Sequence, residues 1–233
     1  MVEQVANQQS GGGSTPTPSL HFSKCKLEDV SEFVRKNHYS HTYPGGIDFS
    51  FSAHYGETLV GACLFGYGAS RNLAEKLLRG EKDKHKFREL VRLVFLDEVP
   101  RNSESKFISW CLKFLAKNTE LLAIVSFADS SKNHVGYVYQ ASNWLYTGES
   151  IAHHKNYLLD GKDTHERTLY SMYGKFSYKE LKEKLGDRLQ ISSQVVKHRY
   201  IYLLRPELRE RLLPAVLPYP KKKNWLDDLE KND

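Results

Sequence analysis

The stretch from Glu89 to Ala128 constrains the fold more than any other part of this chain. Glu89–Leu96 is an apolar strand pattern with one central charge, Arg92, and Leu121–Ala128 is a second apolar strand pattern. Between them, apolar residues recur at helical spacing from Ser103 to about Lys117. A strand, a helix and a strand in this order predict two neighbouring strands that are parallel or splayed apart.

The rest of the chain predicts antiparallel strands and flanking helices around that pair. Two extended runs joined by a short Gly56-Glu57-Thr58 turn are typical of a hairpin. Apolar spacing also predicts further elements: helices at 27–37 and 178–185, a weak helix near Leu73–Leu78, short strands at 145–148 and 198–203, and a last helical segment opened by Pro206. We therefore expect an α/β (α+β) protein with a mixed, mostly antiparallel central sheet, splayed central strands and flanking helices.

Composition sets the domain boundaries. Residues 1–19 are mostly Gly, Ser, Thr, Pro and Gln, which cannot bury enough apolar surface to stay ordered, so they predict a disordered tail. Residues 20–220 are long enough for one domain with a C-terminal extension, and 221–233 form a charged tail. The three cysteines lack the spacing of a disulfide framework or a zinc site, and Cys63 and Cys111 are expected to be buried.

Charge and hydropathy narrow the class of protein. The apolar runs are too short for a transmembrane helix, and the N-terminus lacks the order of a signal peptide, so the chain is expected to be cytoplasmic. A formal net charge of +6 and a pI near 9.0 are compatible with a nucleic-acid partner. Many basic proteins bind no nucleic acid, so charge alone does not decide the partner.

Chemistry-bearing side chains collect in the sixteen residues from Asp129 to Trp144, directly after the second strand of the pair. They include a carboxylate, an imidazole, phenols and an indole. Together with the sequences Asn-His-Tyr-Ser near residue 38 and Glu-Leu-Val-Arg-Leu around Arg92, the block Ser-Phe-Ala-Asp and His-Val-Gly-x-Val-Tyr-x-Ala-Ser-Asn-Trp resembles the phage Mom DNA-modification proteins. That family is a divergent branch of the GNAT acyltransferase fold, and the resemblance covers roughly residues 37–148.

The resemblance implies a function and a set of residues. Mom proteins add a methylcarbamoyl (acetamido) group to the exocyclic amine of adenine, which protects phage DNA from restriction in the bacterial host. The resemblance implies acetyl-CoA as donor and an iron requirement. Carried over by position, it implies catalytic roles for Asp129, Tyr139, His38 and Tyr39.

The cofactor is expected to lie in the slot between the splayed strands. The residues proposed to hold it are Arg92, Ser103, Ser105, Lys106 and Ser126. In GNAT enzymes a glycine-rich turn approaches the CoA pyrophosphate, whereas this chain has Arg101-Asn-Ser-Glu-Ser-Lys106 there. The expected metal ligands are His38, Tyr39, Asp129 and His134, because oxygen and nitrogen donors of this kind bind iron. Tyr139 is placed to protonate the departing CoA thiolate.

DNA is the expected partner, with adenine flipped out of the duplex or presented in a single strand, because the amine is hidden inside the helix. Cations interleaved with tyrosines after residue 150 favour phosphate contacts and base stacking. The residues expected to contact DNA are Lys155, His165, Arg167, Tyr173 and Trp144. The oligomeric state stays open, a homodimer being one option.

Ordinary structural roles compete with each of these functional roles. Arg92 can serve as an ion-pair partner, and Asp129 as a helix N-cap. Tyr139 and Trp144 can be core aromatics, the His-Tyr-Ser-His run a solvated loop, and Lys221–Lys223 a solvated tail. Two other functions also fit the sequence: an ordinary GNAT N-acetyltransferase acting on a protein or small amine, and a non-enzymatic basic DNA-binding module.

Overall fold

A computed structural model of the chain describes residues 19–68, 72–130, 134–151, 156–192 and 196–221. Its strands are β1 Leu20–Cys25, β2 Ile47–Tyr55, β3 Thr58–Gly66, β4 Phe87–Phe95, β5 Ala123–Asp129, β6 Leu145–Ile151, β7 Asn156–Leu159, β8 Lys162–His165, β9 Leu189–Ile191 and β10 Val196–Leu203. Its α-helices are α1 Leu27–Asn37, α2 Leu73–Leu77, α3 Ser103–Asn118, α4 Tyr137–Ala141, α5 Glu166–Tyr173 and α6 Tyr178–Leu185. Short 3-10 segments include Lys84–Lys86, Gly186–Arg188 and Pro206–Arg211.

Seven of the strands form one central sheet in the order β1-β2-β3-β4-β5-β10-β6. Every neighbouring pair is antiparallel except β4 and β5, which are parallel. This arrangement confirms the expected mixed, mostly antiparallel central sheet. The parallel pair is the one predicted from the strand, helix, strand order around α3.

The two faces of the sheet are covered by different helices, as the alternation of side chains along β2 and β3 requires. Phe51, Cys63 and Phe65 point to the face on which the apolar side of α3 packs. Ala62 and Leu64 point to the opposite face and pack against Val30 and Val34 of α1. Burial of each large apolar side chain contributes about 1.5–3 kcal/mol, so these two layers hold the sheet.

The parallel pair separates part of the way along its length. The ladder between β4 and β5 runs from Phe87 opposite Ala123 to Glu89 opposite Val125 and extends no further among the described residues. On its other side, β4 has an irregular register with β3 between Leu90 and Arg92, which leaves Val91 as an extra residue. Such a bulge bends a strand and frees backbone groups. The bulge and the ended ladder together open a wedge in the middle of the sheet.

A small second sheet is inserted between β6 and β10. It has the order β8-β7-β9 and, with α5 and α6, encloses its own apolar cluster. The buried members of that cluster are Tyr157, Leu159, Leu169, Leu181, Leu185 and Leu189. We name residues 152–195 the insertion, of which 156–192 are described. The sequence predicted α6 in this region but did not predict the small sheet.

The last described residues run along the main domain. Leu212 pairs with Leu78 after α2, and the backbone N–H of Leu217 donates to the carbonyl of Tyr146 on β6 (2.9 Å). The hydroxyl of Tyr219 donates to the carbonyl of Trp144 (2.7 Å). This C-terminal segment therefore braces the turn between α4 and β6 from outside.

Several other predictions can be compared with the structure. Cys63 and Cys111 are buried, as expected. None of the helices in the described ranges is long and apolar enough to cross a membrane. The predicted tail at 1–19 falls, apart from Ser19, outside the described residues, as does the tail at 221–233 apart from Lys221.

Candidate functional site

The wedge between β4 and β5 opens into a cleft of about 570 Å³, which is in the usual size range for a small-molecule site. Three separate parts of the chain meet there: the turn after α1, the middle of β4, and the stretch from the end of β5 through α4. They bring together most of the residues predicted to act in the chemistry, namely His38, Tyr39, Arg92, Asp129, His134 and Tyr139. The convergence was the main requirement of the sequence-based prediction.

Arg92 connects the turn after α1 to the bulge in β4. Its Nε donates to the carbonyl of Thr42 and its Nη1 to the carbonyl of Val91, both at 2.6 Å. Burial lowers the pKa of Arg92, and nearby Tyr39 and Glu89 act in the opposite direction. The guanidinium thus places a positive charge in the cleft and fixes the position of the turn that carries His38 and Tyr39.

His38 is buried and neutral. Burial, followed by the charges of Arg92 and His41, lowers its pKa to about 4. Nδ1 of His38 lies 3.1 Å from the backbone nitrogen of Ser40 and 2.8 Å from its hydroxyl oxygen, so Ser40 fixes the orientation of the ring. The low pKa makes His38 a poor proton acceptor at this site.

The low pKa of His38 predicts acid sensitivity of the fold. Between pH 6.5 and about 4 the unfolded chain binds a proton at this histidine and the folded chain does not, so the free energy of unfolding should fall as pH falls through this window. The loss attributable to His38 should be about 2 kcal/mol at pH 5. Urea denaturation of wild type and His38→Gln at pH 7 and pH 5 measures it. An equal pH dependence in both proteins would contradict this assignment.

Tyr139 lies at the inner end of the cleft with its hydroxyl held by Ser126. The Ser126 Oγ is 2.8 Å from the Tyr139 hydroxyl and 3.0 Å from the carbonyl of Leu90, the residue at which the β4–β5 ladder has ended. Burial raises the pKa of Tyr139 well above its ordinary value, against a smaller lowering effect of Ser126. Tyr139 therefore keeps its proton at any working pH and can only act as a proton donor.

Gly136 allows Tyr139 to sit where it does. It precedes α4 with φ +74°, and a Cβ there would lie 2.6 Å from the ring of Tyr200 and 2.9 Å from that of Tyr139. Gly136→Ala should therefore destabilise the fold by more than the about 1–2 kcal/mol that left-handed backbone costs an L-residue, and it should displace Tyr139. Thermal unfolding and activity measure the two effects.

Gly161→Ala is the matched control for that substitution. Gly161 has φ +77°, and a Cβ at this position would meet nothing within 4 Å. Gly161→Ala should lower the free energy of unfolding only by the cost of left-handed backbone, and it should leave activity unchanged. Equal destabilisation by the two substitutions would show that contact with the aromatic rings is unimportant.

A second cleft of about 350 Å³ continues from the first toward the start of α3. Glu104, Tyr137 and Val138 line both clefts, so the two are continuous. At the start of α3, Asn102 has left-handed backbone (φ 65°) and makes no side-chain capping bond. An asparagine tolerates this conformation better than most residues, so it replaces the glycine expected at such a turn. An anionic group can therefore come close to the backbone at the first turn of α3.

One side chain of this second cleft has the same sign of charge as a coenzyme A diphosphate. Glu104 places a carboxylate at the junction of the clefts, where burial and then Asp97 raise its pKa. The raised pKa of Glu104 reduces the negative charge that would repel the diphosphate. The dipole at the start of α3 favours an anion there. The wedge of free backbone between β4 and β5 suits an extended thioester arm. The clefts thus fit the extended arm of an acyl-CoA, whereas Glu104 opposes its diphosphate.

Three of the residues predicted to contact a ligand have buried side chains. Ser126 is 1 % exposed, and its hydroxyl lies within hydrogen-bonding distance of the Leu90 carbonyl and the Tyr139 hydroxyl, so its side chain positions Tyr139. Ser103 is also buried, and its hydroxyl donates to the carbonyl of Pro100. Trp144, expected to contact DNA, is fully buried behind Tyr139, with ring centroids 5.1 Å apart. The side chains of these three residues are packed behind the residues that line the cleft.

The other residues predicted to bind the cofactor or DNA are at the second cleft, away from both clefts, or outside the described residues. Ser105 lines the second cleft, and its hydroxyl donates to the carbonyl of Asn102. Lys106 does not line either cleft. Tyr173 packs on the small cluster of the insertion, with the ammonium of Lys184 5.6 Å from its ring centroid. Lys155 and the side chains of His165 and Arg167 lie outside the described residues.

The geometry gives no support to the predicted iron site. Within the described ranges, no group of three or more His, Cys, Asp or Glu side chains is arranged to hold a metal ion. One nitrogen of His38 is already occupied by the N–H of Ser40. The four predicted ligands share a cleft, but they do not form a metal-binding group.

Sequence reasoning missed two residues that shape the site, Asn102 and Gly136. Both have positive φ, and both stand immediately before a helix. Asparagine and glycine are the residues that adopt this conformation most readily, so their position just before an apolar helical pattern was an available signal.

Comparison with known proteins places these features in a family. The model of the family described as "Mom protein family" matches residues 19–221. The chain is 31 % identical over 193 residues to the methylcarbamoylase mom of Escherichia phage Mu, covering 81 % of this chain and 78 % of that protein.

Solved structures with similar chains were also found. NAA60 of Arabidopsis thaliana in complex with acetyl-CoA matches with a TM-score of 0.48 and 12 % identity, covering 79 % of this chain and 98 % of that chain. An N-acetyltransferase of Staphylococcus aureus Mu50 matches with a TM-score of 0.45 and 11 % identity, covering 80 % and 99 % of the two chains.

Proposed function

The chain belongs to the Mom protein family, and from this premise and the geometry of the cleft we propose that it modifies the exocyclic amine of adenine in DNA by adding a methylcarbamoyl (acetamido) group from an acetyl-CoA donor. As a member of this family, the chain is a transferase. The observation that carries the proposal is the meeting of His38-Tyr39, Arg92, Asp129 and Tyr139 in one cleft. The family match over 19–221 supports taking residues 20–220 as the functional unit.

The donor is proposed to lie along the two continuous clefts. The freed backbone of β4 and β5 would hold the extended arm, and the first turn of α3, with Ser105, would hold the diphosphate. When bound, a CoA thioester supplies an activated acyl group and a thiol leaving group. Tyr137 and Val138 line both clefts, so α4 covers the donor where it passes from one to the other.

Asp129 and Tyr139 are proposed to move the two protons of an acyl transfer, in which the adenine nitrogen bonds to the thioester carbon and the carbon–sulfur bond breaks. A methylcarbamoyl product has one further NH and is joined to the amine through Cα, so its formation also needs a nitrogen donor and a two-electron oxidant as co-reactants. Asp129 is at the end of β5, lines the cleft and is a carboxylate that can accept a proton from the adenine amine. Burial keeps Tyr139 protonated and also makes it a weaker acid, so its hydroxyl is proposed to stabilise the departing thiolate by a hydrogen bond along which the proton is then transferred. Arg92 lines the cleft with its positive charge, and it is proposed to stabilise negative charge that develops there.

Such a modification would change how other proteins recognise the DNA. The exocyclic amine of adenine is one of the two groups that identify this base in the major groove. A substituent there removes a donor that a restriction enzyme would contact. Protection of the modified DNA from restriction is the biological consequence that we propose.

Nucleoside analysis tests the proposal. The full chain is expressed in bacteria, and total DNA is digested to nucleosides and examined by mass spectrometry. A new deoxyadenosine derivative is expected, absent from cells that carry the empty vector. An N-acetyl product differs from the methylcarbamoyl product by the mass of an NH group, so the group added is read from the same spectrum. Unmodified adenine in cells that contain folded, soluble protein would overturn the proposal.

A further inference from the structure

Three aromatic side chains that line the cleft are neighbours in space, with Tyr39 between His38 and His134 in the two measured pairs. The rings of His38 and Tyr39 are in contact, with centroids 4.2 Å apart and planes inclined by 31°. The next ring, that of His134, has its centroid 6.5 Å from that of Tyr39 with planes inclined by only 25°. The first spacing is that of a close contact, whereas the second is near the long limit for a direct aromatic contact.

The wider centroid distance, between Tyr39 and His134, is close to that of two aromatic rings stacked on either side of a third. Stacked bases in DNA are about 3.4 Å apart, so two rings on either side of a base are separated by about 6.8 Å. The 6.5 Å between Tyr39 and His134 is close to this value, and their planes are nearly parallel. A flat ring entering between them would complete a continuous stack from His38 to His134.

Tyr39 and His134 are both exposed to the cleft, and hydrogen bonds hold the backbone around His134. Tyr39 is 63 % exposed and rests on the buried His38, while His134 is exposed. The N–H of His134 donates to the carbonyl of Asp129 (3.2 Å), and the next carbonyl, that of Val135, accepts from the hydroxyl of Tyr200 (2.5 Å). Exposed aromatic rings that face a cleft offer surfaces on which a planar ligand can stack.

The chemistry around the gap favours a base with an exocyclic amine. Asp129 lies close enough to Tyr39 to raise the pKa of its hydroxyl, after the effect of burial, and it is joined to His134 through the backbone. A carboxylate at this place accepts hydrogen bonds from an amino group. Adenine presents such an amine at the edge of a flat, apolar ring.

We propose that Tyr39 and His134 are the two walls of a slot that holds the extruded target base, with Asp129 facing its exocyclic amine. The inference rests on the proposed function and adds a role for His134, which acts by stacking. The base enters the slot after leaving the duplex or from a single strand. Trp144, being buried, takes no part in this recognition.

Binding to a defined oligonucleotide tests the slot without relying on catalysis. The probes are a single-stranded oligo-dT with one central 2-aminopurine and the same strand with an abasic position there. Wild type should bind the first more tightly, on the order of 10-fold, because stacking of one base on aromatic side chains has an effect of this size. The fluorescence of 2-aminopurine should also be quenched on binding.

Substitutions separate stacking from other roles of the two walls. His134→Leu and Tyr39→Leu should each abolish most of the preference for the purine-containing strand, whereas His134→Phe should retain it. His21→Leu is the matched control, because His21 is an exposed histidine on β1 that does not line the cleft. It should behave as wild type. A preference for the purine that survives in both His134→Leu and Tyr39→Leu overturns the slot.

Three further outcomes separate failure of the slot from failure of the proposed function. The donor also contains an adenine, so acetyl-CoA binding is measured by calorimetry on the same variants. If His134→Leu weakens acetyl-CoA binding and leaves oligonucleotide binding unchanged, the rings hold the donor and the slot proposal is overturned. If wild-type cells contain modified adenine but the leucine variants keep their purine preference, the slot fails while the proposed function stands. Absence of modified adenine in wild-type cells overturns the function itself.

Discussion

Asp129→Asn should lower the rate of adenine modification by about 10²–10⁴-fold, the range found when a general acid or base is removed. The amide keeps the shape of the side chain but cannot accept a proton from the amine. Tyr139→Phe should produce a loss in the same range, because it removes the hydroxyl proton of the buried phenol that is proposed to protonate the leaving group. The measurement is the fraction of deoxyadenosine converted in cells that express each variant.

Matched substitutions outside the cleft serve as controls for these two. Asp163→Asn changes an aspartate in β8 of the insertion, and Tyr170→Phe removes an exposed hydroxyl of α5 that donates to Glu166. Both should retain wild-type modification. Ser126→Ala should be intermediate, since it removes a bond that orients Tyr139 without removing the proton donor. Full modification by both Asp129→Asn and Tyr139→Phe would show that the proton-transfer roles are assigned to the wrong residues.

Asp48→Asn should be the most destabilising single change of charge in the described part of the chain. Asp48 Oδ2 accepts from Nε (2.8 Å) and Nη2 (2.5 Å) of Arg88, whose side chain is 7 % exposed. Without the carboxylate, a buried guanidinium loses its counter-charge. Breaking a buried pair costs about 3–5 kcal/mol, and the partial exposure of Asp48 places the expected loss at about 2–3 kcal/mol. Denaturant unfolding measures it.

Asp160→Asn is the control for that prediction. Asp160 makes a two-point contact with Arg188, at 2.8 and 2.7 Å, but the pair is exposed to water. It should have a much smaller effect, because solvent screens exposed ion pairs. The double variant Asp48→Asn/Arg88→Met should recover part of the lost stability by removing the unpaired charge. Equal effects of the two aspartate substitutions would contradict the argument from burial.

The sequence predicted the parts of the fold in which one local pattern decides the structure. The helix at 27–37 was predicted with the bounds that α1 has, because its apolar residues occur at helical spacing and Tyr43-Pro44-Gly45-Gly46 follows it. The hairpin of β2 and β3 and the parallel pair around α3 were likewise predicted, from strand length and connection length. These features depend on neighbouring residues along the chain.

Features that depend on residues distant in sequence were not predictable in this way. The β1 strand has a mixed polar sequence, and it is specified by pairing with β2. The small sheet of the insertion has strands of only three or four residues, each too short to show a period. Ser126 and Trp144 were expected at the ligand surface because sequence reveals residue type but not burial. Their correct place follows only from the packing of α4 against β5 and β10.

The position of the insertion has a consequence for how proteins of this design can diversify. Ile151 at its start and Val196 at its end are directly opposite each other in the pairing of β6 with β10. A segment whose two ends meet at one place can be lengthened, shortened or exchanged at little cost, since doubling a loop changes the closure free energy by only about 0.6 kcal/mol. The insertion also keeps its own apolar cluster. The insertion should therefore tolerate change in length and sequence while the proposed catalytic residues of the main sheet stay unchanged.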